Sequence, residues 1–135
     1  DVVKQVLAAY PDKVRLAFKH LPLSSHTEAQ AAAEAAECAG DQGKFFEIAD
    51  TFFANQTKLD AVSITGYAKN LKLDAKKFKE CIDGGKFKSK IANDMKIAQE
   101  LGITGTPAFI VGDEFLSGAM PFEQFKEIID AKLAK

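Results

Sequence analysis

Few side chains in this sequence have types and spacings suited to chemistry. Its two cysteines, Cys38 and Cys81, lie too far apart to form a Cys-x-x-Cys motif, and taken alone they fit a reducing or an oxidising compartment equally. Both fall on helical patterns, so they could face each other as a structural bridge. Closing a loop of about 44 residues would then contribute at most roughly 4 kcal/mol in the chain-entropy description. The alternative is two small buried apolar residues, a common fate of free cysteines. Neither sits at a helix N-terminus, where a thiol pKa is lowered, so the pair receives no redox role. His20 and His26 flank a loop, and with Cys38 they show no ligand-pair spacing, so no metal site is assigned. Thr106-Pro107, taken as a dipeptide, reads as a proline at the start of a strand, where the missing N–H costs little.

The elements that would position these residues follow from periodicity. Val2, Val3, Val6, Leu7 and Tyr10 recur at helical spacing up to the stop at Pro11. Val14 to Lys19 alternates as a strand does, and the loop His20-Leu21-Pro22-Leu23-Ser24-Ser25 follows. An Ala-rich helix is expected from about Thr27 to Ala39, with Ser25 or Thr27 as N-cap and Gly40 as C-cap. Further helical patterns cover 45–54, 60–71, 74–83 and 87–101. Ile103-Thr104-Gly105-Thr106-Pro107 then leads into Ala108 to Val111, the turn Gly112-Asp113, and Glu114 to Gly118, which is the pattern of a tight hairpin. Phe109, Ile110 and Val111 read as buried strand. A last helix starts near Pro121 and carries Phe122, Phe125, Ile128, Ile129 and Leu133 on one face.

Composition narrows the class. The 135 residues fit one domain, and 18 basic against 19 acidic side chains give no electrostatic case for nucleic acid. Lys72, Lys76, Lys77, Lys79, Lys86, Lys88, Lys90 and Lys96 make the later helices locally basic, but interspersed Asp74, Glu80, Asp83 and Asp94 read as a solvated face. No apolar run reaches the roughly 18 residues of a membrane span, and no signal peptide is visible at Asp1-Val2-Val3-Lys4.

The order helix, strand, helical block, hairpin, helix, with Thr-Pro directly before the hairpin, resembles a thioredoxin-like α/β fold with a helical insertion domain. Arg15-Leu16-Ala17-Phe18-Lys19-His20-Leu21-Pro22-Leu23, Ala32 through Phe46, Leu101 through Phe109 and Gly118-Ala119-Met120-Pro121 are together similar to the DsbA-like thiol–disulfide oxidoreductases. The resemblance implies an incomplete thioredoxin-like core at 1–26 and 102–135 and an inserted helical domain at 27–101. Its first core strand and Cys-x-x-Cys turn are absent from this chain, so the pair is expected upstream of Asp1, where a helix dipole would stabilise a thiolate. The resemblance further implies a cis Thr106-Pro107 bond in a substrate-contacting loop of Gly105, Thr106 and Pro107. Some family members resemble this chain in carrying a second bridge, for which Cys38 and Cys81 are the candidates. No cofactor or metal is called for. Implied partners are unfolded or secreted proteins with cysteines and a membrane redox partner, in a bacterial periplasm or other extracytoplasmic space. Two alternatives share the fold: a non-catalytic thioredoxin-like module binding peptides or partners, and a relative of kappa-class glutathione transferases or isomerases.

Overall fold

The computed structural model describes residues 1–135 and divides them into two compact units. The first comprises Asp1–Lys19 and Leu101–Lys135, and the second His20–Glu100.

In the first unit, α1 (Val2–Ala9) is capped by the Asp1 carboxylate, which accepts from the Val3 N–H at 2.9 Å. Strands β1 (Ala108–Val111) and β2 (Glu114–Ser117) form an antiparallel hairpin in the register Ala108 with Ser117, Phe109 with Leu116, Ile110 with Phe115 and Val111 with Glu114. The turn needs glycine. Gly112 has φ +64°, as the first centre of a type II′ hairpin requires, and a Cβ there would come within 2.8 Å of Lys132 Cδ. The last helix, α7 (Phe122–Leu133), packs beside α1, and Val6, Leu116, Phe125 and Ile129 make the core, with Phe109 edge-on to Phe125 at 5.0 Å. At the rim, Tyr10 Oη donates to Asp130 Oδ1 at 2.6 Å and Lys126 Nζ lies 2.8 Å from Asp130 Oδ2. The Lys126 bond, followed by the Tyr10 bond, holds the Asp130 carboxyl below the usual range.

The segment Val14 to Lys19 departs from expectation. Val14, Leu16 and Phe18 are half-buried and alternate with exposed neighbours, but the sheet contains β1 and β2 alone. Pattern makes a backbone extended; a ladder needs a neighbouring strand, and none in this chain lies beside the segment. Ile110 departs from the expected burial at 52% exposed, and its partner Phe115 is 51% exposed. They are a cross-strand pair on the face opposite Phe109, Val111 and Leu116, so only the alternate residues reach α7. Leu133, placed on the buried face by its spacing, is 47% exposed because α7 ends there.

The second unit holds α2 (Ala29–Gly40), α3 (Phe45–Ala54), α4 (Ala61–Asn70), α5 (Ala75–Asp83) and α6 (Lys88–Glu100). Helix α2 is its centre. Small side chains at Ala32, Ala35, Ala36 and Ala39 are buried with Ile48 and Phe52 of α3, Ile64 and Ala68 of α4, and Phe78 of α5. Neither Ser25 nor Thr27 caps α2. Glu28 precedes its first residue without a side-chain cap bond, because His26 and Ala29 close turns there first. Asp60 and Asp74 do cap α4 and α5, each accepting at 3.1 Å, from the Ser63 and Lys77 N–H respectively.

Helix α4 closes on Lys72 at φ +61°, with the Leu73 N–H reaching back to Ala68 O at 3.1 Å. A left-handed conformation costs a non-glycine residue roughly 1 kcal/mol or more, and the greater unfolded-state freedom of glycine offsets part of any gain. Lys72→Gly is therefore expected to stabilise the protein by about 0.5 kcal/mol, read as a higher urea midpoint with an unchanged slope. A lower midpoint would contradict this reading of the cap.

Candidate functional site

Gly105, Thr106 and Pro107 lie in the loop that enters the hairpin. Ile103 is half-buried, whereas Thr104, Gly105, Thr106 and Pro107 are exposed. The Thr106-Pro107 peptide is cis, and the Pro107 carbonyl accepts from the Gly118 N–H at 2.9 Å. That bond extends the hairpin ladder one residue beyond β1, so the exposed loop is anchored at its exit by a packed ribbon. Thr106 itself is exposed at the end of this ribbon.

The two cysteines are joined. Cys38 of α2 and Cys81 of α5 form a disulfide with Cα atoms 5.8 Å apart. Cys38 is 1% exposed, and Cys81 is intermediate. Neither belongs to the exposed loop's unit, so the sequence candidates fall into two separate places: Gly105, Thr106 and Pro107 in the first unit, the cysteine bridge in the second.

His20 is more than the loop histidine that its sequence position suggests. It is 5% exposed, and its Nε2 lies 2.8 Å from Glu37 Oε2, while its backbone N–H donates to Asp94 Oδ2 at 3.1 Å. A carboxylate can only accept, so Nε2 carries the proton. Lys90 Nζ donates to the same Glu37 oxygen at 3.0 Å, and the His20 ring meets Phe45 edge-on at 5.9 Å. The result is a polar clasp joining the start of this unit to α2 and α6. One signal for it was available: Val14, Leu16 and Phe18 point inward at period two, and His20 is the next inward position. With His20 held by Glu37 and Cys38 by Cys81, the combination of His20, His26 and Cys38 is not assembled as a ligand set.

Partial burial pushes the Glu37 carboxyl up, but the His20 and Lys90 hydrogen bonds outweigh it, and the net position is below its ordinary 4.5. A depressed carboxylate stabilises the fold above its unfolded pKa, and that stabilisation is lost as pH falls through the lower folded value. Chemical denaturation at pH 7 and then at successively lower pH should therefore show a steeper acid loss in the wild type than in Glu37→Gln. Parallel profiles would remove Glu37 from the acid response.

The sequence profile of the thioredoxin family, described as Thioredoxin, matches residues 1–131. The chain belongs to the thioredoxin family. Its structure is similar to a solved thioredoxin-like oxidoreductase from Silicibacter pomeroyi DSS-3, with a TM-score of 0.79 and 26% identity over 98% of this chain and 76% of that one. The thioredoxin-like fold is thus carried here by seven helices and one two-stranded sheet. Curated relatives have a different name. The chain is 35% identical over 133 residues to Na(+)/H(+) antiporter NhaA 1 of Salinispora arenicola (strain CNS-205), covering 98% of this chain and 20% of that protein. It is 30% identical over 124 residues to Na(+)/H(+) antiporter NhaA of Herminiimonas arsenicoxydans, covering 92% and 20%. The chain therefore spans about a fifth of the length of these curated relatives. No helix of this thioredoxin-family chain is long and apolar enough to cross a membrane.

Proposed function

We infer that this chain is the helix-rich part of a DsbA-like thiol–disulfide oxidoreductase acting on cysteine-containing proteins in an extracytoplasmic space. The observation that carries the reading is the likeness to a thioredoxin-like oxidoreductase over 98% of the chain, and the exposed Thr106-Pro107 loop on its hairpin is in keeping with it. In this reading a Cys-x-x-Cys pair, supplied by sequence preceding Asp1, would sit at the N-terminal end of the first helix. The positive end of the helix dipole favours a thiolate there. In the oxidising direction, a substrate thiolate attacks the disulfide of the pair and forms a mixed disulfide, and the leaving cysteine departs as thiolate. A second substrate thiol then expels the enzyme sulfur, and both electrons end on the enzyme pair. Gly105, Thr106 and Pro107 would hold the substrate chain extended during both steps.

The encoded sequence over roughly 30 residues before Asp1, the length of a strand and turn in a βαβ unit, tests this directly. An apolar strand followed by Cys-x-x-Cys supports it, and a strand without the pair overturns it. The purified chain itself is expected to turn over a dithiol peptide far more slowly than a complete oxidoreductase, since its only cysteines bridge two helices and one sulfur is buried. Fluorescence of a quenched dithiol peptide, with glutathione disulfide as oxidant, reads this out. Turnover at the rate of a complete oxidoreductase would sink the assignment.

The antiporter relatives favour a second reading, in which the same fold serves as a non-catalytic thioredoxin-like module carried on a transporter polypeptide. An encoded chain about five times longer than this one, without the cysteine pair, would select it.

A further inference from the structure

Beside the Cys38–Cys81 bridge lies an open cavity of about 750 Å³, lined by both cysteines and by Asp41, Gln42, Asp74, Lys77, Glu80 and Lys86. That volume is in the range that admits a small organic ligand. Most of the lining is already paired. Lys86 Nζ bonds Asp41, Gln42 exchanges two hydrogen bonds with the Asp74 backbone at 2.8 and 3.2 Å, and the Asp74 carboxylate caps α5. Two charges remain. Lys77 and Glu80 are exposed and engage no opposite charge, and they stand four residues and one residue before Cys81 on the same helix. The four-residue spacing puts Lys77 on the cysteine's own side of α5. The cavity thus offers one unpaired cation, one unpaired anion and a disulfide.

We propose that Cys81 is a mixed-disulfide site for a small zwitterionic thiol, whose carboxylate is drawn by Lys77 and whose ammonium is drawn by Glu80. The entering thiolate gives its electron pair to Cys81 Sγ and forms the new S–S bond. The Cys38–Cys81 bond breaks, and its electron pair leaves on Cys38 Sγ, which takes a proton to become a buried thiol. No external oxidant or reductant is consumed, and the reverse attack by Cys38 restores the bridge and releases the small thiol. Burial selects the sulfur: Cys38, at 1% exposed, is closed to an incoming nucleophile, whereas Cys81 is partly open and lines the cavity. The bonds of Gln42 with Asp74 and of Lys86 with Asp41 do not involve sulfur and are not broken by the exchange.

The folded chain is incubated with reduced glutathione at neutral pH, quenched with acid and mapped by peptide mass spectrometry, with the urea-unfolded chain as reference. One glutathione on Cys81 with a free Cys38 is expected, against an even distribution between the two cysteines in the unfolded chain. Lys77→Ala should slow adduct formation about two- to five-fold, the size expected of one exposed charge interaction, and should slow the reaction with 2-mercaptoethanol, whose thiolate carries no carboxylate, by a smaller factor. The substitution keeps the Lys77 backbone N–H that Asp74 accepts, so the helix cap survives. A bridge that stays intact, glutathione found mainly on Cys38, or a glutathione rate indifferent to Lys77 would each overturn the proposal.

Discussion

Replacing both bridging residues, Cys38→Ala with Cys81→Ala, should lower the stability of the folded chain by about 2–4 kcal/mol, the typical contribution of a disulfide that closes a loop of this length. The two sites are 43 residues apart in sequence, and the closed loop contains α3 and α4 entire. Opening it releases a long stretch of the unfolded chain from constraint. The folded side of the balance points the same way. Helix α5 has nine residues, and Phe78 alone among them is buried, so little apolar area holds it to α2 once the bridge is gone. Its remaining ties are the partly buried contacts of Ile82, the Gln42 and Asp74 exchange, and an exposed Lys86–Asp41 pair of the kind worth well under 1 kcal/mol. Urea denaturation followed by far-ultraviolet circular dichroism measures the change. Hydrogen exchange locates it, with amides of α5 losing protection ahead of those of α2. A double variant within about 0.5 kcal/mol of wild type would mean that the helical unit packs well enough without the bridge.

Double substitution is the informative choice. Cys38→Ser alone would put a hydroxyl at a fully buried site and leave Cys81 as a free thiol beside Lys77, mixing loss of the constraint with a polar-burial cost of about 1–3 kcal/mol. Alanine at both positions avoids that cost, and α2 already carries alanine at Ala35, Ala36 and Ala39 in the same core.

What the sequence made legible, and what it did not, divides along the range of the interactions. Helices were readable because their signals are local. Phe45 to Ala54 has the bounds its pattern gave, and the Asp60 and Asp74 caps lie where the patterns began. The hairpin was readable for the same reason, since Gly112 must supply the turn at a definite place. Burial on the hairpin was misread at Ile110, because a run of apolar residues does not say how many faces of a sheet are covered. The Val14 to Lys19 segment failed as a strand because pairing depends on a neighbour distant in sequence. At the candidate sites, the exposed loop could be located from Thr-Pro before a strand. The His20 clasp could not, since Glu37, Lys90 and Asp94 lie 17, 70 and 74 residues away and each reads as a surface charge. The cavity beside Cys81 was hidden similarly: Lys77 was one lysine among eight in a basic stretch, and only the fold shows which of its neighbours are already paired.

Phe125→Ala is expected to be at least as damaging as loss of the bridge, at about 3–5 kcal/mol, the usual cost of emptying a phenylalanine site in a packed core. Phe125 is 4% exposed and sits in the small core of the first unit, where four buried side chains, Val6, Leu116, Phe125 and Ile129, gather contributions from α1, β2 and α7. A core of that size has few neighbours able to move into the void. The aromatic pair with Phe109 is lost too, and Phe109 belongs to the strand that follows Pro107. The consequence therefore reaches the candidate site. With β1 no longer seated on α7, the Pro107 carbonyl to Gly118 N–H bond loses its rigid support, and the loop carrying Thr106 becomes mobile before the helical unit is affected. Phe125→Leu keeps most of the volume and should cost about half as much or less, so the pair of variants separates cavity formation from a general intolerance of the position. Hydrogen exchange at Gly118 against α2 amides, together with the urea midpoint, reads out both parts. Equal destabilisation by Ala and Leu, or a loss of α2 protection ahead of Gly118, would show that Phe125 does not anchor the hairpin.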